Sequence, residues 1–147
     1  MIHRQHVLSF RRFEVITERI CAADLDIRDA KFHLISAYMP DTRYDDASVE
    51  IAYNQLDTLC DKATQAGRRI VAGGDFNTVV GSGQVGEEHI LGPHGSGTRN
   101  ARGEGLMNWA EMQDLSFTHS FFNRPVGNRW SYSHGEDRSL IDYILVD

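Results

Sequence analysis

Between residues 48 and 66 the apolar positions Ala52, Leu56, Leu59, Cys60 and Ala63 recur at three- and four-residue spacing, which predicts a helix with one buried face. Asp45, Asp46 and Ser48 are N-cap candidates, and Gly67 is a C-terminal stop. Residues 12–27 mix apolar, β-branched and charged positions and read mostly as one strand. Asp29 and Ala30 then make a turn. Phe32-His33-Leu34-Ile35-Ser36-Ala37-Tyr38 reads as a second strand, closed by Pro40 because proline cannot continue a ladder. The two strands are expected to pair as an antiparallel hairpin. Past the helix, residues 69–72 form a short apolar strand that halts at Gly73 and Gly74. A helix feeding a strand whose end carries polar residues is how α/β folds build their sites.

Residues 81–105 hold eight glycines and one proline and read as mostly loop. Leu106, Trp109, Ala110 and Gln113 then make a shorter helical stripe ending near Asp114. Residues 117–122, 129–132 and 140–146 read as three further strands, the last nearly all apolar and so expected to be buried on both faces. No internal repeat breaks this order. A chain of 147 residues that is 41% hydrophobic suits one core, hence a single domain over residues 1–147.

Charge and cysteine usage narrow the classes. With 15 basic residues against 21 acidic ones the net charge is -6, so the whole-chain field opposes a polyanion. Lys31 and Lys62 are the only lysines. The remaining arginines suit bidentate phosphate contacts, although genome base composition produces the same bias. Cys21 and Cys60 are far apart and show no C-x-x-C spacing, which fits reduced thiols. No apolar run reaches the roughly 20 residues that span a bilayer, and the first ten residues, with His3, Arg4 and His6, lack the apolar segment of a signal peptide. The expectation is an intracellular protein, nuclear or cytoplasmic, with no membrane partner.

Three positions carry candidate chemistry. Gly73-Gly74-Asp75-Phe76-Asn77 sets a carboxylate and a carboxamide two residues apart, where glycines allow a sharp turn and close ligand approach. One group can take a proton from water and the other can donate to an oxyanion; an Asx turn bonding its own backbone is the alternative. Asp142 lies within the apolar run Leu140-Ile141-Asp142-Tyr143-Ile144-Leu145-Val146, where a carboxylate needs a partner. That partner is a histidine, a cation, or a structural arginine such as Arg138. Tyr38 ends its strand beside Met39-Pro40, so its hydroxyl can project at the rim that carries Asp75, although aromatic strand residues are commonly core. Gly81-Ser82-Gly83-Gln84-Val85-Gly86 matches G-x-G-x-x-G, but no helix opens at its third glycine and the dinucleotide reading is rejected. Seven histidines show no zinc-ligand spacing, and His89 and His94 fall in the loop.

The ordered set Ser36-Ala37-Tyr38-Met39-Pro40, a helix, Gly74-Asp75-Phe76-Asn77, Arg129-Trp130-Ser131-Tyr132 and Ser139-Leu140-Ile141-Asp142-Tyr143-Ile144-Leu145 resembles the endonuclease/exonuclease/phosphatase superfamily. Gly92-Pro93-His94-Gly95 through Arg99-Asn100, followed by Gly103 and Leu106, is similar to the endonuclease domains of LINE-type retrotransposons. The resemblance runs from about Phe13 onward and implies part of a four-layer α/β sandwich, two packed mixed sheets with outer helices. It makes Asp75 the group that orients or deprotonates the attacking water, Asn77 and Tyr38 phosphate contacts, and Asp142 the partner of a catalytic histidine. Arg129, Trp130 and Asn100 become substrate-binding positions. The implied reaction is in-line phosphodiester hydrolysis with magnesium, or manganese, as cofactor.

The family's first-strand asparagine, its metal-binding glutamate and its Ser-Asp-His histidine have no counterparts in the sequence, so no complete metal site is expected and the chain alone is expected to be nearly inactive. The implied partner is DNA, with further domains of a longer polyprotein such as a reverse transcriptase. Phosphoinositide and sphingomyelin phosphodiesterases share the core motifs. A non-catalytic nucleic-acid-binding or interaction module, or a degenerate reading frame, are the remaining readings.

Overall fold

The computed structural model describes residues 9–125, 127 and 129–147, so His3, Arg4 and His6 lie outside the described residues. Among them are eight strands and two α-helices. β1 (Phe10–Val15), β2 (Ile20–Ile27), β3 (Ala30–Tyr38), β4 (Arg69–Asp75), β5 (Ser116–Phe117) and β8 (Asp142–Val146) form one mixed sheet in the order β1-β2-β3-β4-β8-β5. β6 (Tyr132–His134) and β7 (Asp137–Ser139) form a separate hairpin. The class is α/β, as the residue pattern predicts.

Helix α1 (Asp46–Gln65) starts where Asp45 accepts the Ser48 N–H at 2.9 Å and stops before Gly67, whose φ of 60° suits a residue without Cβ. It connects β3 to the parallel strand β4, as a crossover must. Its stripe Ala52, Leu56, Leu59, Cys60 and Ala63 is buried in one core with Ile35 of β3, Ala72 of β4 and Leu145 of β8, three residues that lie in register across the sheet. Each fully buried leucine there contributes about 2 kcal/mol of apolar transfer. Helix α2 (Ala101–Met112) joins the same core through Leu106, Met107, Trp109 and Ala110. The Trp109 indole N–H donates to Asp57 of α1 at 2.8 Å, which satisfies a buried polar group and ties the helices together.

Several expectations change, beginning with β4, which runs on through Gly73 and Gly74 to Asp75 instead of halting at the glycines. The stretch 12–27 is not one strand but the antiparallel pair β1 and β2, because the Thr17 hydroxyl accepts the N–H groups of Arg19 and Ile20, both at 3.2 Å, and turns the chain without glycine or proline. Residues 117–122 are not a strand. Pairing ends after Phe117, and Thr118–Phe121 form a 3-10 turn in which the Ser120 hydroxyl donates to the Phe117 carbonyl at 2.7 Å. The glycine-rich segment is mostly loop, as its composition predicts, and α2 starts at Ala101 with Asn100 as N-cap. Gly103 sits in its first turn because a Cβ there would lie 2.0 Å from the Val79 carbonyl oxygen. Finally, β8 is not buried on both faces: Tyr143 and Leu145 point into the core while Asp142 and Ile144 are exposed. The strand expected at 129–132 begins only at Tyr132.

Candidate active site

Strand register does the assembly. Tyr38 of β3 lies opposite Asp75 of β4, and Asp75 lies opposite Asp142 of β8, so a phenol and two carboxylates form one row across three adjacent strands. Directly opposed side chains stand about 5 Å apart at Cβ and on one face. That face is the one turned away from the helices, and Tyr38 and Asp142 are exposed on it. Asp142 is therefore not a carboxylate enclosed by its apolar neighbours, since strand alternation lifts it out of the core. No ion pair joins it to Arg138 among the described residues.

The backbone around Asp75 is held tightly. Gly74 has φ 147°, and a Cβ there would come within 1.9 Å of the Ala37 carbonyl oxygen, so only glycine lets β4 lie this close to β3. Past Asp75 the chain turns at Asn77, which takes the left-handed φ of 51° that asparagine tolerates. The Asn77 N–H donates to Asp75 Oδ1 at 2.8 Å, and its side-chain Nδ2 donates to the Met39 carbonyl at 2.7 Å. The Asx turn and a site are thus compatible: one oxygen of Asp75 and the carboxamide oxygen of Asn77 remain for a ligand.

Burial raises the Asp75 pKa above the ordinary carboxylate value, the Asn77 N–H works against this, and the negative charges of Asp142 and Asp41 raise it further. Two carboxylates in register with no arginine paired to either among the described residues suit a bound cation. Among the described residues no group of three or more histidine, cysteine, aspartate or glutamate side chains is arranged to hold a metal. The oxygen donors that are present nevertheless suit magnesium, which binds through one or two carboxylates and completes its shell with water and substrate phosphate.

Beside Asp142 opens a cavity of about 330 Å³ whose lining includes His119, Phe122, Arg124, Arg129, Trp130 and Ser131. Arg129 and Trp130 thus share one cavity with Asp142. The Arg129 Nε donates to the Arg124 carbonyl at 2.9 Å. Asn100 is engaged elsewhere: its Oδ1 accepts the Gly103 N–H at 2.7 Å and the Thr78 hydroxyl at 2.5 Å, as the N-cap of α2. His94 of the glycine-rich loop lines the same cavity. Sequence reasoning missed His119, whose two ring nitrogens are buried without a partner and whose pKa burial pushes down to about 4, with Arg124 adding to the shift. Its ring packs against Phe117 and Tyr143, and only the fold brings them together.

No described helix is long and apolar enough to cross a membrane. Comparison with proteins of curated function gives no match. Among solved structures, the endonuclease domain of TRAS1, a telomere-specific non-LTR retrotransposon, is similar with a TM-score of 0.57 and 17% identity, over 88% of this chain and 48% of that one. A 3'-5' exonuclease from Neisseria meningitidis is similar with a TM-score of 0.58 and 17% identity, over 88% and 52%. D. rerio TDP2 complexed with single strand DNA product is similar with a TM-score of 0.52 and 12% identity, over 94% and 52%. The chain spans about half the length of each, and at these identities the likeness is one of fold. The sequence model of one family, however, matches residues 3–147, nearly the whole chain, with the Tyr38–Asp75–Asp142 row inside it; the chain belongs to the endonuclease/exonuclease/phosphatase family.

Proposed function

We propose that the row of Tyr38, Asp75 and Asp142 is the phosphate and metal end of a phosphodiester hydrolase of the retroelement endonuclease type, with DNA as substrate. The observation that carries this reading is the register itself, which sets two carboxylates, neither paired with an arginine among the described residues, beside a phenol, with Asp142 also lining the cavity of Trp130 and two arginines. Members of this family are hydrolases of phosphodiester bonds and are generally dependent on a divalent metal. Here Asp75 and Asp142 would hold that ion, which neutralises charge on the phosphoryl oxygens.

The remaining chemistry belongs to the chain's own side chains. Asp75 orients the attacking water, whose oxygen forms its bond to phosphorus as the opposite phosphorus–oxygen bond breaks; the water's proton passes to solvent and the leaving oxygen takes one up. The Tyr38 hydroxyl and the second Nδ2–H of Asn77 donate to a non-bridging phosphate oxygen. Arg129 pairs with a neighbouring phosphate, and the Trp130 ring offers a stacking face to a base. These local cations offset a net charge of -6 that otherwise opposes DNA.

The test is binding of a labelled single-stranded oligonucleotide with and without magnesium, for the wild-type chain and Asp75→Ala. The expected result is magnesium-dependent binding in the wild type that falls about tenfold in the variant. Turnover on supercoiled plasmid is expected to be slow, because the described site offers no third metal-ligating side chain. Binding that ignores both magnesium and Asp75 would instead identify a non-catalytic module, and a preference for inositol phosphate or sphingomyelin over DNA would move the substrate class.

A further inference from the structure

The row continues one strand further than its three site residues. The Tyr38 N–H donates to the Arg19 carbonyl at 2.9 Å, which makes Arg19, the residue before β2, the next neighbour of Tyr38. Its guanidinium carbon lies 5.0 Å from the centre of the Tyr38 ring and 4.6 Å from the centre of the Tyr44 ring, and Nη2 donates to the Tyr44 hydroxyl at 2.6 Å. Nη1 is buried and has no hydrogen-bond partner. Glu18 pairs with the guanidinium weakly, 4.0 Å from Nε on a side chain that is 87% exposed, and Asp41, which Arg43 already binds, also feels its charge. A cation held between two aromatic faces, with one N–H group unfilled and its ion-pair partner on a solvent-exposed side chain at 4.0 Å, keeps an outward positive field, and an anion answers it.

The surroundings hold this cation in place. The Thr17 hydroxyl fixes the turn that presents Arg19. On the far side Arg102 of α2 donates to the carbonyls of Pro40, Asp41 and Tyr44, pinning the segment that carries the Tyr44 ring. The clamp is therefore supported from both ends by groups that do not belong to the row.

We infer that Arg19 is a positioning residue of this site: it holds the Tyr38 ring at the end of the Asp75–Asp142 row and supplies the positive field that draws a phosphodiester to the Tyr38 hydroxyl. The inference rests on the phosphodiesterase reading and deepens it by naming a residue that acts through Tyr38. A cation confined to shaping the loop would stabilise the fold and leave phosphate binding untouched.

The experiment measures binding of a labelled single-stranded oligonucleotide in magnesium for the wild type, Arg19→Met, Arg19→Lys, Tyr38→Phe and the double variant Arg19→Met with Tyr38→Phe. Arg19→Met is expected to weaken binding about tenfold and Arg19→Lys, which keeps the charge, about threefold. Tyr38→Phe weakens binding in the wild-type background and adds no further loss to Arg19→Met, the signature of action through Tyr38. Unchanged binding in Arg19→Met, or losses that multiply in the double variant, overturn the inference while leaving the phosphodiesterase reading in place. Should Arg19→Met fail to fold, Arg19→Lys and Tyr44→Phe carry the same cycle with Tyr38→Phe. A wild-type chain that does not bind the oligonucleotide overturns the reading and the inference together.

Discussion

The two ends of the central sheet treat their carboxylates in opposite ways. At the end away from the site, Asp24 and Asp26 of β2 meet Arg68, which donates to Asp26 at 2.7 Å and lies 3.5 Å from Asp24. Arg11 adds a second contact to Asp26 at 2.9 Å, and His33 bonds Asp24 at 2.6 Å. Asp26 accordingly has its pKa lowered, first by the Arg68 hydrogen bond and then by Arg11. At the other end Asp75 faces Asp142, no arginine pairs with either among the described residues, and the pKa of Asp75 rises. The buried imidazoles divide in the same way: His33 has a carboxylate partner, while both nitrogens of His119 have none. Paired charge holds a fold together, and unpaired charge on the same sheet is what the proposed metal and phosphate site requires.

The largest expected effect lies at the paired end. Arg68 is 13% exposed on its side chain, and Arg68→Met should cost about 2 kcal/mol in urea unfolding by stranding Asp24 with His33 alone. A loss below about 0.5 kcal/mol, the range of surface pairs, would mean that this end is solvated rather than locked.

His119 supplies the next effect, through pH. Its folded pKa of about 4 lies below the unfolded value of 6.5, so the unfolded chain binds the extra proton first as pH falls. The stability contributed by the neutral ring is complete above pH 6.5 and is lost between there and about pH 4. After allowance for solvent screening the loss is about 1 kcal/mol, seen as a falling urea midpoint from pH 7 to pH 5. His119→Phe, which keeps the ring against Phe117 and Tyr143, should flatten that limb. An unchanged slope would show that His119 does not report the unpaired end.

Much of this contrast was legible in the residues themselves. The periodicity of Leu56, Leu59 and Ala63 fixes α1 to within two residues at its start, and glycines before Asp75 mark a close backbone approach that the Ala37 contact of Gly74 explains. What stayed hidden depended on partners distant in sequence. The turn at Thr17 is made by a side-chain hydroxyl, a weaker signal than glycine or proline. Asp142 looked enclosed because a local run of apolar residues does not say which of them face the core; the pairing with β4 decides that. Asn100 carried a motif position that the fold uses as a helix cap. The Arg19 clamp joins residues 19, 38 and 44 across a strand and a loop, so no local window contains it.

The most direct test of the unpaired end is urea unfolding of the wild type and Asp75→Asn at pH 7, each with and without magnesium. Without metal, Asp75→Asn should be the more stable protein by about 0.5 kcal/mol, because it removes a partly desolvated charge facing Asp142 while keeping an acceptor for the Asn77 N–H. The sign follows from the raised pKa: ionising Asp75 costs stability as pH rises above the unfolded value of 3.8. With magnesium, the wild type should gain stability as its concentration increases, and the variant should not. Equal gains in both proteins, or a variant less stable than the wild type without metal, would contradict the account of Asp75 as the uncompensated carboxylate of a metal and phosphate site.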